Sequence, residues 1–408
     1  MVDLGTSDDV VLLVATVFAL TVFAAGAVER RRHRRRLTGI PLRISVNGSR
    51  GKSTVTRLLT GALTAGGWRS LGKTTGSAAQ LIRGWDAVAE DVRRRPEGPN
   101  IGEQRGLVRR AVADGVDALV TECMAVTPEY QRTFHRELLD ANLLVITNAL
   151  ADHLEEMGPT VADVAEVLAD SVPRDGVVVL APGDHLATFE RVAWQRGCTV
   201  VHADVEAVAD DEVAGFDHLV LPEHVAQVLA VTRHLGIADD EALAGMRSAP
   251  PDPYATRLLD VGDPWQPALF VNAFPANDPT STLAVWEHVR ARGVRPDGLV
   301  VVMNCRDDRI ARTRQFANEV LPRLPIATLV VTGRGTRSVL RAVDTGVLAV
   351  DDVRDHTGDD ADTVIEALRP LLADRVVLGV GNLHGGGAEL VAGFDALAVA
   401  EHASSEAP

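Results

Sequence analysis

A glycine-rich loop between a predicted strand and a predicted helix constrains this sequence more than any other feature. Residues 42–46 alternate apolar and polar side chains and include β-branched residues, which predicts a buried strand. Residues 47–51 read Asn-Gly-Ser-Arg-Gly, and from Lys52 onward apolar residues recur at helical spacing. The first backbone N–H groups of that helix would point at the loop, an arrangement that binds phosphate groups.

The side chains of this loop predict how it holds a nucleoside triphosphate. Lys52 would reach the β- and γ-phosphates, and the Ser53 hydroxyl would face Mg²⁺. The common spacing G-x-x-x-x-G-K-[ST] fails because Val46 stands where its first glycine belongs, whereas the shorter G-x-x-G-K-[ST] fits from Gly48. The predicted ATP-binding run is Asn47, Gly48, Ser49, Arg50, Gly51, Lys52, Ser53 and Thr54.

The alternative is an ordinary strand-to-helix turn that carries a surface lysine. Lysine usage argues against it, because only Lys52 and Lys73 are lysines among the 41 basic residues. Because the chain otherwise uses arginine, a lysine at this position indicates that the loop requires its compact ammonium group.

Length and charge bound the remaining possibilities. A chain of 408 residues with 46% apolar residues is expected to form two globular domains. The formal net charge of −15 argues against nonspecific nucleic-acid binding, so no nucleic-acid partner is expected. The three cysteines are far apart and include no C-x-x-C pair, which suits a reducing compartment.

An apolar segment near the N-terminus predicts a membrane anchor. Residues 10–28 contain no charge, and a helix of that length spans about 30 Å, one bilayer core. Aspartates precede the segment, and arginines occupy six of the seven positions from 30 to 36, a polarity opposite to that of a signal peptide. We therefore expect a single-pass protein of the cell membrane with its catalytic domains in the cytoplasm. The alternative is a buried helix.

Alternating strand and helix patterns divide the rest of the chain. From 42 to 235 they predict a mostly parallel sheet, and the proline and glycine breaks at 248–266 predict a linker. New strand patterns then predict a smaller Rossmann-like domain. The predicted organisation is an anchor and basic segment at 1–36, a central ATP-binding domain at 37–250 and a C-terminal domain at 262–408.

Polar side chains follow two further predicted strands of the central domain. Glu122 and His153 stand at the carboxyl ends of these strands, where ligands of parallel sheets gather. Together with Ser53 they could share one cleft and bind metal ions, although a single histidine is more often structural.

Two basic features of this domain have open interpretations. Lys73, followed by Thr74, could contact phosphate or substrate, or could lie in a solvated loop. The arginines at 93–95 could bind substrate carboxylates or could simply be solvated.

Several segments of the sequence are distinctive, among them NGSRGKSTVTRL, TECMAVTPEYQ, ITNALADHLEEMGPT, NAFPANDPTST, MNCRDDRIARTRQFA and GVGNLHG. They resemble one enzyme family, the ligase subunit of poly-γ-glutamate synthase in the Mur ligase and folylpolyglutamate synthase superfamily. The resemblance covers essentially the whole chain. It implies an α/β fold with a Mur-ligase-like central P-loop ATPase domain, a parallel sheet and a smaller C-terminal Rossmann-like domain, preceded by one transmembrane helix.

The resemblance implies ATP-dependent amide ligation that polymerises glutamate through its γ-carboxyl group, as in capsule synthesis. ATP would phosphorylate a carboxylate, and the amine of an incoming glutamate would displace the phosphate. In related ligases, residues matching Ser53 and Glu122 bind one Mg²⁺ and the residue matching His153 binds a second. The resemblance thus implies ATP and two Mg²⁺ ions, with Lys52, Glu122 and His153 as catalytic residues.

The C-terminal domain carries polar loops after its predicted strands. One begins at Asn272 and resembles a superfamily loop in which aspartate is common at that position, so Asn272 is predicted to contact the nucleotide. Two others, at 304–309 and 379–386, suggest a surface for substrate or nucleotide. Arg306 and His384 would contact a glutamate carboxylate or a phosphate there, and arginine binds carboxylates in bidentate fashion. The predicted substrate-binding residues are Lys73, Thr74, Arg306, Arg309, Asn382 and His384.

The resemblance also implies partners and leaves some points open. Glutamate and the growing polymer are the expected ligands, with small integral-membrane synthase or export subunits and a homo-oligomer as expected assemblies. No lysine follows Lys73, so the carbamoylated lysine of many Mur-type ligases is absent or replaced. His224 stands where those ligases often place an adenine-contacting asparagine. Alternatives are another superfamily ligase acting on a small carboxylate acceptor, or a membrane-bound ATPase regulator that forms no amide.

Overall fold

The computed structural model describes residues 7–76, 79–93, 100–216, 218–253, 255–276, 278–291, 294 and 298–399. Of the arginines at 93–95, only Arg93 lies within these ranges. The chain divides into two compact units, one of residues 1–216 and 220–252 and the other of residues 217–219 and 253–408.

The N-terminal unit begins with one long helix and continues as alternating strands and helices. Its elements are α1 Ser7–Leu37, β1 Leu42–Asn47, α2 Lys52–Ala65, β2 Ser70–Lys73, β3 Gln80–Arg83, β4 Val88–Asp91, α3 Glu103–Ala113, β5 Ala118–Glu122, α4 Pro128–Thr133 with a π-helical turn Phe134–Leu139, β6 Leu143–Ile146, α5 Leu154–Met157, α6 Val161–Ala169, β7 Val177–Leu180, α7 Leu186–Gln195, β8 Thr199–His202, α8 Asp210–Ala214, α9 Pro222–His234 and α10 Asp239–Ser248.

Helix α1 contains a candidate membrane span. From Val10 to Leu37 it is long and apolar enough to cross a bilayer, and none of its most apolar window is buried. The alternative of a buried helix is therefore wrong. Only the last turns contact the unit, where Leu37 is buried and the Leu138 carbonyl lies 2.9 Å from His33 Nε2.

The eight strands of this unit form one sheet in the order β4-β3-β2-β5-β1-β6-β7-β8. Strand β1 lies at its centre and pairs in parallel with β5 and β6, so Val46 is opposite Glu122 and Asn47 is opposite Ile146. The six neighbouring strands β2, β5, β1, β6, β7 and β8 are parallel to one another, whereas β3 and β4 form an antiparallel edge beside β2. The mostly parallel sheet predicted from the sequence is thus confirmed, and the carboxyl ends of β5, β1 and β6 lie side by side.

Both faces of the central strands are covered by apolar side chains. Ile44 and Val46 pack in a cluster with Leu58 and Leu59 of α2 and with residues of α9 and α10. Gly61 permits the close approach of α2 to α10, because a Cβ there would collide with the Gly245 carbonyl oxygen. Helix α2, whose first residue is Lys52, is therefore held firmly against the sheet.

The C-terminal unit is a second α/β layer structure. Its elements are β9 Leu258–Asp263, β10 Gln266–Asn272, α11 Pro279–Ala291, β11 Leu299–Cys305, α12 Ile310–Gln315, β12 Ile326–Gly333, α13 Arg337–Asp344, β13 Asp352–Thr357, α14 Ala361–Leu368, β14 Val376–Gly381 and α15 Gly387–Ala396. These strands form a sheet in the order β13-β12-β11-β14-β10-β9. The strand pairs of this sheet are parallel except β9 with β10.

Strand β9 lies inside the stretch 248–266 that the sequence predicts as a linker, so that prediction is wrong for the second half of the stretch. The break at Gly262 and Pro264 belongs to a tight hairpin, in which Asp263 pairs with Gln266. Two-residue connections of this kind join antiparallel strands. The edge strand exists because Val261 is fully buried against the apolar cluster of this unit.

Candidate active site

The glycine-rich loop after β1 has a backbone that only glycine adopts easily. Gly48 has φ of 128° and Gly51 has φ of 83°. A Cβ on Gly48 would collide with Thr147 Oγ1, and a Cβ on Gly51 would collide with His224 Nε2. Positive φ and close neighbours together explain both glycines.

Asn148, two residues beyond the end of β6, fixes the shape of the loop. Its Oδ1 accepts a hydrogen bond from Arg50 N at 2.9 Å, and its backbone oxygen accepts one from Ser49 N at 3.1 Å. Ser49 Oγ donates to Leu150 O at 3.1 Å. The sequence analysis missed Asn148, whose only signal was its place at the end of a predicted strand.

Lys52 and Thr54 stand in the first turn of α2. Lys52 Nζ donates to Gly48 O at 2.7 Å and to Ser49 O at 3.0 Å, so its ammonium group lies over the loop. Thr54 is half-buried in the same turn. The loop and the N-terminus of α2 thus present a cation and backbone N–H groups at one place.

Glu122 and Ser53 meet beside the loop. The Glu122 side chain is nearly buried, and its Oε2 accepts from Ser53 Oγ at 2.8 Å and from Thr75 N at 2.6 Å. A hydroxyl and a carboxylate in contact are the kind of oxygen donors that Mg²⁺ takes, with phosphate and water as its other ligands.

His153 follows β6 in a left-handed conformation with φ of 49°. Its side chain is half-exposed and lies 3.9 Å from both an Asp152 and a Glu156 carboxylate oxygen. Within the described ranges, no group of three or more His, Cys, Asp or Glu side chains is placed to hold a metal ion. An ion here would need ligands from the nucleotide or from water.

Some of the predicted residues of this unit, but not all, line a common cavity of about 210 Å³. Lys52, Glu122 and His153 all line it, and Ser53 is bonded to Glu122 at its edge. The cavity also has loop residues and apolar side chains in its wall. These are Asn47, Gly48, Ser49, Thr75, Cys123, Met124, Ala125, Val126, Asp152, Met157 and Leu168.

A buried polar network lies behind Asn47. Asn47 Nδ2 donates to Gln131 Oε1 at 2.8 Å and lies 3.3 Å from His135 Nε2, while Asn47 Oδ1 accepts from Gly48 N at 2.9 Å. Burial lowers the pKa of His135 from 6.5 to about 3, so its imidazole is neutral. Gln131 and His135 were missed by the sequence analysis because their contact with the loop is long-range.

His224 occupies the first turn of α9, as the sequence predicts, and its ring lies against Gly51. Its Nδ1 is buried and has no hydrogen-bond partner among the described residues. Burial lowers its pKa from 6.5 to about 4. The neutral ring therefore packs on the loop.

Lys73 and Thr74 do not line this cavity. Lys73 is 2% exposed and its Nζ lies 2.8 Å from Glu103 Oε2, so the alternative of a solvated lysine is wrong. Thr74 is buried, and its Oγ1 accepts from Gln80 N at 3.0 Å. Contact of either residue with substrate stays a prediction.

In the C-terminal unit, the predicted asparagines are buried in the sheet. Asn272 Nδ2 donates to Ala255 O at 3.4 Å. Asn382 Nδ2 donates to Asn304 O at 3.1 Å, and Asn304 Nδ2 donates to Asn382 O at 2.6 Å. This reciprocal pair ties β11 to the end of β14, and the sequence analysis missed the part played by Asn304.

The other predicted residues of this unit lie at its surface. Arg306 forms two hydrogen bonds with Asp308, at 2.9 and 2.7 Å, and this contact lowers the pKa of the Asp308 carboxyl group. Arg309 and His384 are exposed. Their contact with substrate stays a prediction.

Comparisons with known proteins place the chain in a family and identify its fold. The family model of the poly-gamma-glutamate synthase CapB C-terminal domain matches residues 259–397. PGA synthase CapB of Bacillus subtilis strain 168 is 40% identical over 381 residues, which covers 93% of this chain and 96% of that protein.

Solved structures of ligases share the fold. Escherichia coli FolC in complex with ADP superposes with a TM-score of 0.65 at 15% identity and covers 90% of this chain and 92% of its own. The Yersinia pestis folylpolyglutamate synthase/dihydrofolate synthase, complexed with AMPPNP and Mn, has a TM-score of 0.64 at 15% identity, covering 89% and 92%. These likenesses confirm the predicted fold class. By its identity to the Bacillus protein across nearly its whole length, the chain belongs to the CapB family of poly-γ-glutamate synthases.

Proposed function

We propose that this protein is an ATP-dependent amide ligase that polymerises glutamate through its γ-carboxyl group, for poly-γ-glutamate or capsule synthesis. One observation carries the proposal, which is that Lys52, Glu122 and His153 line the same cavity. Family membership supports the choice of glutamate, because the Bacillus relative is a PGA synthase. The FolC and Yersinia ligases of the same fold were solved with ADP and with AMPPNP and Mn.

In this proposal the loop binds the triphosphate of ATP. Backbone N–H groups at the start of α2 and the Lys52 ammonium face the phosphates, and the remaining residues from Asn47 to Thr54 hold the loop in shape. The γ-phosphoryl group moves to a carboxylate, and the O–P bond to ADP breaks. The amine of the next glutamate then forms the amide bond and expels phosphate. Asn272 remains the candidate nucleotide contact of the C-terminal unit.

The oxygen donors beside the loop fit a divalent cation. Ser53 and Glu122 would hold the first Mg²⁺, and His153, with its carboxylate neighbours, would lie near a second. Bound cations would neutralise charge on the phosphates. The residues proposed to contact glutamate or the polymer are Lys73, Thr74, Arg306, Arg309, Asn382 and His384.

The location and assembly follow from helix α1 and from the family. We propose that α1 anchors the protein in the cell membrane as a single span, with both units in the cytoplasm, because the arginines follow the apolar segment. One span does not form an export path, so small integral-membrane subunits would accompany the ligase, which would itself form a homo-oligomer.

The test measures whether ADP release depends on glutamate. Membranes that contain the protein are incubated with ATP, Mg²⁺ and labelled glutamate, and the product is analysed by mass and by linkage. We expect a ladder of γ-linked chains. One or two additions to a small acceptor would instead indicate another ligase of the superfamily, and ATP hydrolysis without a new amide would indicate a regulator.

Lys52→Ala is the decisive variant, because the proposal places its ammonium on the transferred phosphate. We expect glutamate-dependent ADP release to fall at least ~1,000-fold, about 4 kcal/mol of transition-state stabilisation. Arg191→Ala is the matched control, since this arginine pairs with Glu166 at the surface of the same unit. Activity retained in Lys52→Ala would reject the site.

A further inference from the structure

The C-terminal unit carries a second cavity, which the proposed active site does not use. It has a volume of about 650 Å³ and is lined by residues from α12, α13 and the segments next to them. Three of its ten lining residues are arginines and none is acidic. The whole chain has 56 acidic and 41 basic residues, so this cavity is positively charged in a chain whose net charge is negative.

The three arginines are Arg314, Arg337 and Arg341, and all are exposed. Among the described residues, none of them forms an ion pair with a carboxylate. By contrast, Arg354 and Arg369 of the same unit pair with Asp352 and Glu366 respectively. Like charges that share a cavity without counter-charges repel each other, and an anionic ligand would remove that repulsion.

The spacing of the cations suits a ligand with repeated anionic groups. Arg337 and Arg341 are four residues apart on α13, so they share one helix face and lie about 6 Å apart along its axis. Arg314 approaches the same cavity from α12. A polymer with one carboxylate per repeat could contact all three guanidinium groups, each in bidentate geometry.

Apolar side chains lie beside these arginines. Ile310 is 47% exposed and Val347 is 61% exposed, and both line the cavity. None of its described lining residues is aromatic, so they offer no platform on which nucleic-acid bases could stack. The chemistry favours carboxylates separated by methylene groups over a nucleic acid.

We propose that this arginine cavity, formed by Arg314, Arg337 and Arg341 with Ile310 and Val347, binds the growing poly-γ-glutamate chain. The inference rests on the proposed function, since that reaction supplies the polymer. Carboxylates of the chain pair with the guanidinium groups, and its methylene groups pack on the two apolar side chains. Several weak contacts hold the polymer near the enzyme between additions and so raise its effective concentration.

The experiment uses the full chain and compares two triple variants of equal charge. Arg314→Ala/Arg337→Ala/Arg341→Ala removes the cavity cations, and Arg323→Ala/Arg354→Ala/Arg369→Ala removes three arginines elsewhere on the same unit. Binding of fluorescently labelled poly-γ-glutamate is measured at low and at physiological salt, with single-stranded DNA of equal charge as competitor. Thermal unfolding of both variants is measured to check that they fold.

We expect the cavity variant to bind the polymer at least ~10-fold more weakly, and the control variant within about 2-fold of the parent. Product chains made by the cavity variant should be shorter, with initial ADP release unchanged. Unchanged polymer binding in the cavity variant, or equal competition by DNA, would overturn the proposal.

The two proposals fail separately. If the parent releases ADP in a glutamate-dependent manner and the cavity variant binds the polymer normally, the cavity proposal is rejected and the ligase proposal stands. Lost polymer binding in that variant, with ATP hydrolysis that ignores glutamate in the parent, rejects the ligase and leaves the cavity as a polymer-binding site.

Discussion

In the N-terminal unit, polar side chains at the strand ends point into a cavity, whereas in the C-terminal unit many of them bond to neighbouring backbone. Glu122 presents its carboxylate beside Ser53 and the glycine-rich loop. Asn304 and Asn382 sit at equivalent strand ends, yet they exchange hydrogen bonds with each other's carbonyl groups. A polar residue after a parallel strand therefore predicts where its side chain lies in the sheet. Its hydrogen-bond partners determine whether the side chain is available to a ligand or stabilises the fold.

The comparison is tested most strongly by Glu122→Ala. We expect glutamate-dependent ADP release to fall by about 100-fold or more, roughly 2.7 kcal/mol, because the variant loses an oxygen donor beside Ser53. The Mg²⁺ concentration for half-maximal rate should rise. Glu366→Ala, which changes an exposed carboxylate of the C-terminal unit, is the control and should leave the rate nearly unchanged. Equal losses in both variants would remove the distinction between the two units.

Asn304→Ala should show the opposite pattern, with a loss of stability rather than of chemistry. The substitution leaves the buried Asn382 carbonyl without its donor, which costs about 1–3 kcal/mol of the free energy of unfolding. Urea denaturation measures this loss, with exposed Asn318→Ala as the matched control. An unchanged free energy of unfolding together with lost activity would place Asn304 among the residues that contact ligand.

The sequence predicted the location of the N-terminal site because its signals are local. The loop, the start of α2 and the ends of β5 and β6 can each be recognised within about ten residues, and parallel pairing then brings Ser53, Glu122 and His153 together. The supporting network could not be predicted in this way. Gln131 lies 84 residues from Asn47, and His135 lies 88 residues from it.

In the C-terminal unit the same reasoning predicted a second set of strands, but it treated the first of them, β9, as part of the linker. A proline and glycine cluster predicts a break, and the hairpin at Gly262 and the linker before it produce the same local signal. Likewise, Asn382 and His384 are equally polar in sequence, but one is buried in the sheet and the other is exposed. Burial depends on tertiary packing, which composition alone does not reveal.

The buried network behind the loop predicts an acid-sensitive N-terminal unit. The His135 pKa is about 3 in the fold and 6.5 in the unfolded chain, so the unfolded state binds the extra proton as the pH falls below 6.5. The free energy of unfolding should therefore decrease toward pH 4, by at most ~1.4 kcal/mol per pH unit from this residue. Denaturation at several pH values should show a shallower decrease for His135→Gln, while the exposed His234→Gln keeps the parent slope. Identical slopes in all three proteins would contradict this role of His135.

The smallest effect is expected for Arg309→Ala at the surface of the C-terminal unit. Its guanidinium is 58% exposed and lies 4.0 Å from Asp308 Oδ2, so a contact with a glutamate carboxylate would be solvent-screened. We expect the KM for glutamate to rise about two- to five-fold, with kcat and the thermal midpoint unchanged. Arg369→Ala, a comparably exposed arginine that pairs with Glu366, should leave the KM unaltered. A rise in KM well beyond ten-fold would mean that Arg309 is desolvated when substrate binds. The difference between the two units would then hold only for the buried asparagines, which bond to backbone instead of facing a cavity.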